Sequence, residues 1–120
     1  MRSGFPLLAM VAISVVGCNT ARKQECDKFL AAMKPLEDGT PAANTVDRVQ
    51  KDIGAMTFED QPLSVYAKNY GATLTILSNT LKLKAAPGPG SAPDGTDDVI
   101  KQNLKKVRTD RDDVQRYCSQ

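Results

Sequence analysis

Hydrophobic side chains recur at three- and four-residue steps along most of this chain. Cys26, Phe29, Leu30, Met33 and Leu36 form the first series, a spacing that brings apolar positions onto one face of a helix. Pro35 weakens the end of that helix and Asp38-Gly39 stops it. Thr40-Pro41 then reads as an N-cap followed by proline at the first helical position, with Asn44 and Asp47 as a rival start. Val46, Val49, Ile53 and Met56 make the second stripe. The third carries Leu63, Tyr66, Ala67, Tyr70, Leu74, Leu77 and Leu81, with Pro62 in its first turn. Gly71 interrupts it at a cost of up to ~1 kcal/mol relative to Ala, and reads as a point of close helix packing.

The third stripe has a competitor. Thr73-Leu74-Thr75-Ile76 and Thr80-Leu81-Lys82-Leu83-Lys84 alternate, with Ser78-Asn79 as a turn between them. That pattern reads as a β-hairpin around residues 73–84. The helical seam is longer than either alternating run, so helix is the expectation. Ala86 to Gly95 contains three prolines and three glycines and must be a loop. Thr96 reads as the cap of a last helix, with Asp97 and Asp98 favourably placed near its positive end. Ile100, Leu104, Val107, Val114 and Cys118 share its seam, and Arg111 interrupts it. The expected fold is all-α: a small antiparallel bundle of four helices, the last two longer. The alternative is an α+β fold with the hairpin.

The N-terminus follows a different logic. One Arg, at position 2, precedes a chargeless stretch that includes the apolar run Leu7 to Val16. At about 1.5 Å per helical residue this run spans roughly half the ~30 Å hydrocarbon core of a bilayer. It is too short to cross and has the form of a secretory signal. Val15-Val16-Gly17-Cys18 resembles the lipobox of bacterial lipoproteins: an apolar residue, a permissive one, Gly or Ala, then Cys. Val stands where Leu is commoner. The resemblance covers about the first eighteen residues. It implies diacylglycerol on Cys18, cleavage after Gly17, and acylation of the new amino terminus by a fatty acid such as palmitate. Two or three chains hold a protein firmly to a membrane, whereas one binds reversibly. Asn19, in place of the Asp that marks inner-membrane retention in such signals, implies the outer membrane, facing the periplasm. The expected organisation is a cleaved signal at residues 1–17, a lipidated tether at 18–23 and a helical domain at 24–118.

The chain has three cysteines, an odd number for an exported protein. With Cys18 lipidated, Cys26 and Cys118 remain, and an oxidising periplasm favours their pairing. The alternatives are two free buried thiols or pairing with another molecule. An intramolecular bridge would close almost the whole mature chain, worth about 4–5 kcal/mol by chain entropy. It also constrains topology. Cys26 opens the first stripe and Cys118 ends the last, and an even number of antiparallel helices brings those two ends together.

Composition narrows the chemistry. The chain of 120 residues has 16 basic and 14 acidic side chains, and no His or Trp. Without His there is no Ser-His-Asp or Cys-His pair and no HExxH zinc site. Near-neutral charge argues against neutralising nucleic-acid phosphates. Asp110-Arg111-Asp112-Asp113 lacks the third ligand and the Gly of a calcium loop, so it reads as a solvated face. Asp97-Asp98 reads as helix-start acids. Tyr66 and Tyr70 read as core or core margin rather than the wall of a ligand groove. Lys101, Lys105, Lys106 and Arg108 are interleaved with acids and read as mixed surface. Gly88-Pro89-Gly90 lacks the N–H donors of a phosphate loop.

No catalytic site and no cofactor or metal is expected; the site residues are Cys18 for lipid and Cys26 with Cys118 for the bridge. The expectation is a non-catalytic envelope lipoprotein, a structural accessory or protein-interaction module with an envelope protein as partner. The alternatives are an inhibitor or immunity-type protein that blocks an envelope-directed enzyme, and a small-ligand carrier.

Overall fold

A computed structural model describes residues 20–86 and 92–120. Residues 1–19, which hold Cys18 and the expected signal, and residues 87–91 of the loop lie outside the described residues. Four helices are described, without strands: α1 over residues 20–33, α2 over Ala43–Gly54, α3 over Gln61–Ala85 and α4 over Thr96–Cys118. A 3₁₀ turn at Lys34–Leu36, with Pro35 inside it, follows α1. Residues 20–23, read above as tether, already belong to α1.

The helices run up, down, up, down, and contacts between α2 and α3, between α3 and α4 and between α1 and α4 establish this. Asp47, near the start of α2, forms an ion pair with Lys82 near the end of α3 (3.0 Å). Gln50 reaches back to the carbonyl of Gly71 (3.2 Å). Lys84, at the end of α3, meets Asp97 at the start of α4 (2.6 Å). Tyr66 and Tyr117 face each other at the other end, ring centroids 5.8 Å apart. Cys26 and Cys118 form the disulfide, with Cα atoms 5.9 Å apart, so the first helix and the last are closed at one end.

One core runs through all four helices. Phe29, Met33 and Leu36 meet Val46, Val49 and Ile53 there, with Leu63, Tyr70, Leu74, Leu77 and Leu81 from α3. Ile100, Leu104, Val107 and Val114 complete it from α4. Phe29 is the hub of an aromatic group, 5.4 Å from Phe58 and 6.1 Å from Tyr70 by ring centroid. Complete burial of side chains of this size stabilises by about 1.5–3 kcal/mol each, before chain entropy is set against it.

The segment with two sequence readings is helical. Leu74, Leu77 and Leu81 point into the core, while Thr75 and Ile76 face out. The threonines that suggested strands are held by back-bonding: Thr73 Oγ1 donates to Asn69 O (3.2 Å), Thr75 to Gly71 O (3.1 Å) and Thr80 to Ile76 O (2.7 Å). Such bonds satisfy a hydroxyl without leaving the helix.

Three local expectations need correction. α2 starts at Ala43 and not after Thr40-Pro41: Ala42 is the extended N-cap residue and no side chain caps it. The chain first turns through Gly39, at φ +67°, whose carbonyl accepts from Arg108 Nη2 (2.5 Å), and this places the helix start further on. Thr96 is the first residue of α4 rather than its cap. Gly95, at φ +88°, takes the cap position, and Thr96 Oγ1 donates to Pro93 O (2.6 Å). Gly71 does not mark close packing, because a Cβ there would meet nothing within 4 Å. Its carbonyl instead receives the Gln50 side chain.

Candidate functional site

The most connected polar group sits at the disulfide end. Asp60 caps α3, its Oδ2 accepting from Leu63 N at 3.3 Å. The same oxygen accepts from the Tyr117 hydroxyl at 2.6 Å. Glu25 of α1 holds the approach to that cap, its carboxylate accepting from the backbone N–H of Glu59 (2.9 Å) and of Asp60 (3.2 Å). Arg22 donates to the carbonyl of Tyr117 (2.9 Å) and lays its guanidinium 4.4 Å from the centre of that ring. Cation–π contact at a half-exposed site adds about 0.5–1 kcal/mol. The Tyr117 hydroxyl titrates above its usual range, chiefly because it donates to Asp60, with desolvation second. Side chains from α1, α3 and α4 thus converge on Tyr117, next to Cys118.

An open groove runs beside the bridge, with Arg22, Asp27, Leu30 and Gln115 among its walls. Cys26 is buried and Cys118 half-buried.

A second polar group lies further along, between α4 and the turn after α1. Arg111, which interrupts the apolar seam, meets Glu37 at 2.8 Å. The contact is made by Arg111 Nη2 and Glu37 Oε1, and Arg111 Nε has no hydrogen-bond partner. The Tyr70 hydroxyl is also buried without a partner. Burial raises its pKa, and the charges of Asp110 and Glu37 push the same way against Arg111.

The acidic run seen in the sequence is dispersed by the helix. Asp110 pairs with Lys106 (3.3 Å), Asp112 with Arg111 (3.5 Å) and Asp113 with Arg116 (2.6 Å). Asp97 turns to Lys84, away from any pairing with Asp98. Among the described residues no three Asp, Glu or Cys side chains gather closely enough to hold a metal ion. Tyr66 and Tyr70 part company: Tyr70 enters the core and Tyr66 packs against Tyr117 with the two rings tilted by 51°. Lys101 and Lys105 are exposed, while Lys106 and Arg108 are engaged within the molecule.

No protein-family model, curated protein or solved structure matches this chain. The functional reading therefore rests on its own residues. The sequence reading missed Arg22, Glu25, Asp60 and Tyr117 as a group. Asp60-Gln61-Pro62 carried a signal, because Asp ahead of an early proline is a helix start. The convergence of the other three on it has no trace in spacing along the chain.

Among the described residues no helix is long and apolar enough to cross a membrane.

Proposed function

We propose that this chain is a lipid-anchored lipoprotein of the bacterial envelope, acting without catalysis as a structural accessory or protein-interaction module. The observation that carries the reading is Val15-Val16-Gly17-Cys18 directly ahead of the helical domain. Cys18 would take the diacylglycerol, and acylation of its freed amino group would complete a nearly permanent anchor. Cys26 lies eight residues past that anchor. The disulfide end of the bundle is therefore the end nearest the membrane, outer rather than inner by the Asn19 rule. The Cys26–Cys118 bridge supports an oxidising compartment. Removal of the signal takes Arg2 with it and leaves the domain one charge closer to neutral. Charged side chains that satisfy one another within the bundle support a scaffold rather than an active site.

The test is Cys18→Ala in the full chain. Mass spectrometry of the wild type should find the acyl groups on Cys18, and the variant should lose both them and membrane association. A variant that still fractionates with membranes as mature protein would overturn the anchor.

A further inference from the structure

The outward ridge of α3 carries a pattern that the bundle itself does not use. Val65, Asn69, Ala72, Ile76, Asn79 and Leu83 are all exposed, Val65 at 54%, Ile76 at 51% and Leu83 at 47%. They follow one another at alternating steps of four and three, the heptad spacing of a helix-pairing seam. At 100° per residue all six lie within about 40° of the direction opposite the buried Leu74. The core face and this ridge are therefore separate surfaces of one helix.

The ridge is also its own complement. Val65 and Leu83 stand nine residues either side of position 74, Asn69 and Asn79 five, and Ala72 and Ile76 two. A two-fold axis at that position sets every member against its counterpart in a second, antiparallel copy. Val65 meets Leu83, the small Ala72 receives the large Ile76, and Asn69 faces Asn79, whose amides can donate and accept mutually. Each contact is made twice, as a two-fold interface requires.

Other registers match less well. A slide of one heptad puts Asn69 on Ala72 or Asn79 on Ile76 and leaves two of the six positions without a counterpart. Polar seam residues fix register in this way because an amide buried against an apolar side chain loses its hydrogen bonds. A parallel pair would match the asparagines but stack Ala72 on Ala72, leaving a gap beside the Ile76 layer. It would also align the two helix dipoles unfavourably.

We propose that this face pairs with a second copy of the same chain, α3 against α3, antiparallel about residue 74. The proposal goes beyond the anchored-accessory reading and does not depend on lipid at Cys18. The seam from Val65 to Leu83 is about 27 Å long. A single ridge of that length belongs among the smaller, dynamic interfaces, so a trapping assay suits it.

The experiment is photo-crosslinking of the full chain in its native cells, with a benzophenone amino acid placed at Val65 or at Ile76. A probe at the exposed Lys105 of α4 serves as the background. The expected product has twice the mass of the chain. Its crosslinked peptides should join position 65 to the neighbourhood of Leu83, and position 76 to that of Ala72. With the Val65 probe, Ile76→Lys should reduce the product roughly tenfold, the effect of about 1.4 kcal/mol lost from pairing. Circular dichroism of that variant should be unchanged, since the side chain is exposed. The proposal is overturned by product no greater than the Lys105 background, by adducts with other proteins alone, by crosslinks from the Val65 probe to position 65 of the second copy, or by product that survives Ile76→Lys. Membrane release of Cys18→Ala with the dimer retained would separate failure of the anchor from failure of the pairing.

Discussion

Opening the disulfide should remove a large share of the stability of this domain. The bridge spans a sequence separation of 92 residues. In the chain-entropy treatment such a loop restricts the unfolded ensemble by about 4.5 kcal/mol at 25 °C. A domain of this size is stable by ~5–15 kcal/mol in total. Cys26 is 4% exposed, so its replacement also leaves a small void, whereas the half-buried Cys118 leaves little. The folded end is braced without the bridge by Arg22 on Tyr117 and by Tyr117 on Asp60. Those contacts should keep the fold native at low temperature. Cys26→Ala, Cys118→Ala and the double variant would be compared by urea unfolding followed by circular dichroism. Each single variant should lose roughly 3–5 kcal/mol, and the double scarcely more, because the first substitution already breaks the bond. The midpoint of thermal unfolding should fall by roughly 15–30 °C. A loss below about 1 kcal/mol, or single losses that add in the double variant, would refute the reasoning.

Three further outcomes are expected. Gly71→Ala should stabilise by about 0.5–1 kcal/mol in the same urea assay, since a Cβ there has open space and the helix gains backbone order. Tyr70→Phe should be neutral or stabilising by up to ~1 kcal/mol, because it removes a buried hydroxyl with no hydrogen-bond partner; a clear loss would show that the hydroxyl is satisfied. Asp47 is held below its usual carboxylate pKa by the Ser78 hydroxyl first and by Lys82 second. A lowered folded pKa contributes stability above pH ~4 that disappears as pH falls through the folded value. Asp47→Asn should therefore flatten the stability–pH curve below about pH 4 and leave its shape near neutrality unchanged.

The helical seams were legible because burial follows the 3.6-residue period. Val46, Val49 and Ile53, or Ile100, Leu104 and Val107, are buried as their spacing requires. The pairing of Cys26 with Cys118 was expected too, with Cys18 set aside for lipid, and the even number of helices was expected from that pairing. Boundaries were less so. Thr40-Pro41 carries all the local chemistry of a helix start, yet Ala43 begins α2, because the turn at Gly39 is held from a distance by Arg108. Phe58 falls outside every periodic stripe and still packs on Phe29, since a loop residue obeys no period.

Sequence alone supplied apolar seams at helical spacing, the expectation of a Cys26–Cys118 bridge with an even helix count, and a resemblance to a lipoprotein signal at the N-terminus. These depend on local spacing and residue type. Tertiary structure decided the choice between helix and hairpin at residues 73–84. It also decided the fate of each polar side chain: Arg111 on Glu37, Tyr117 on Asp60, and Tyr70 enclosed without a partner. Those outcomes depend on which residues meet across the bundle, at separations of dozens of positions, and no local pattern encodes them. The ridge of α3 needed both: its symmetry about position 74 is written in the sequence, but only the packed bundle leaves that face exposed.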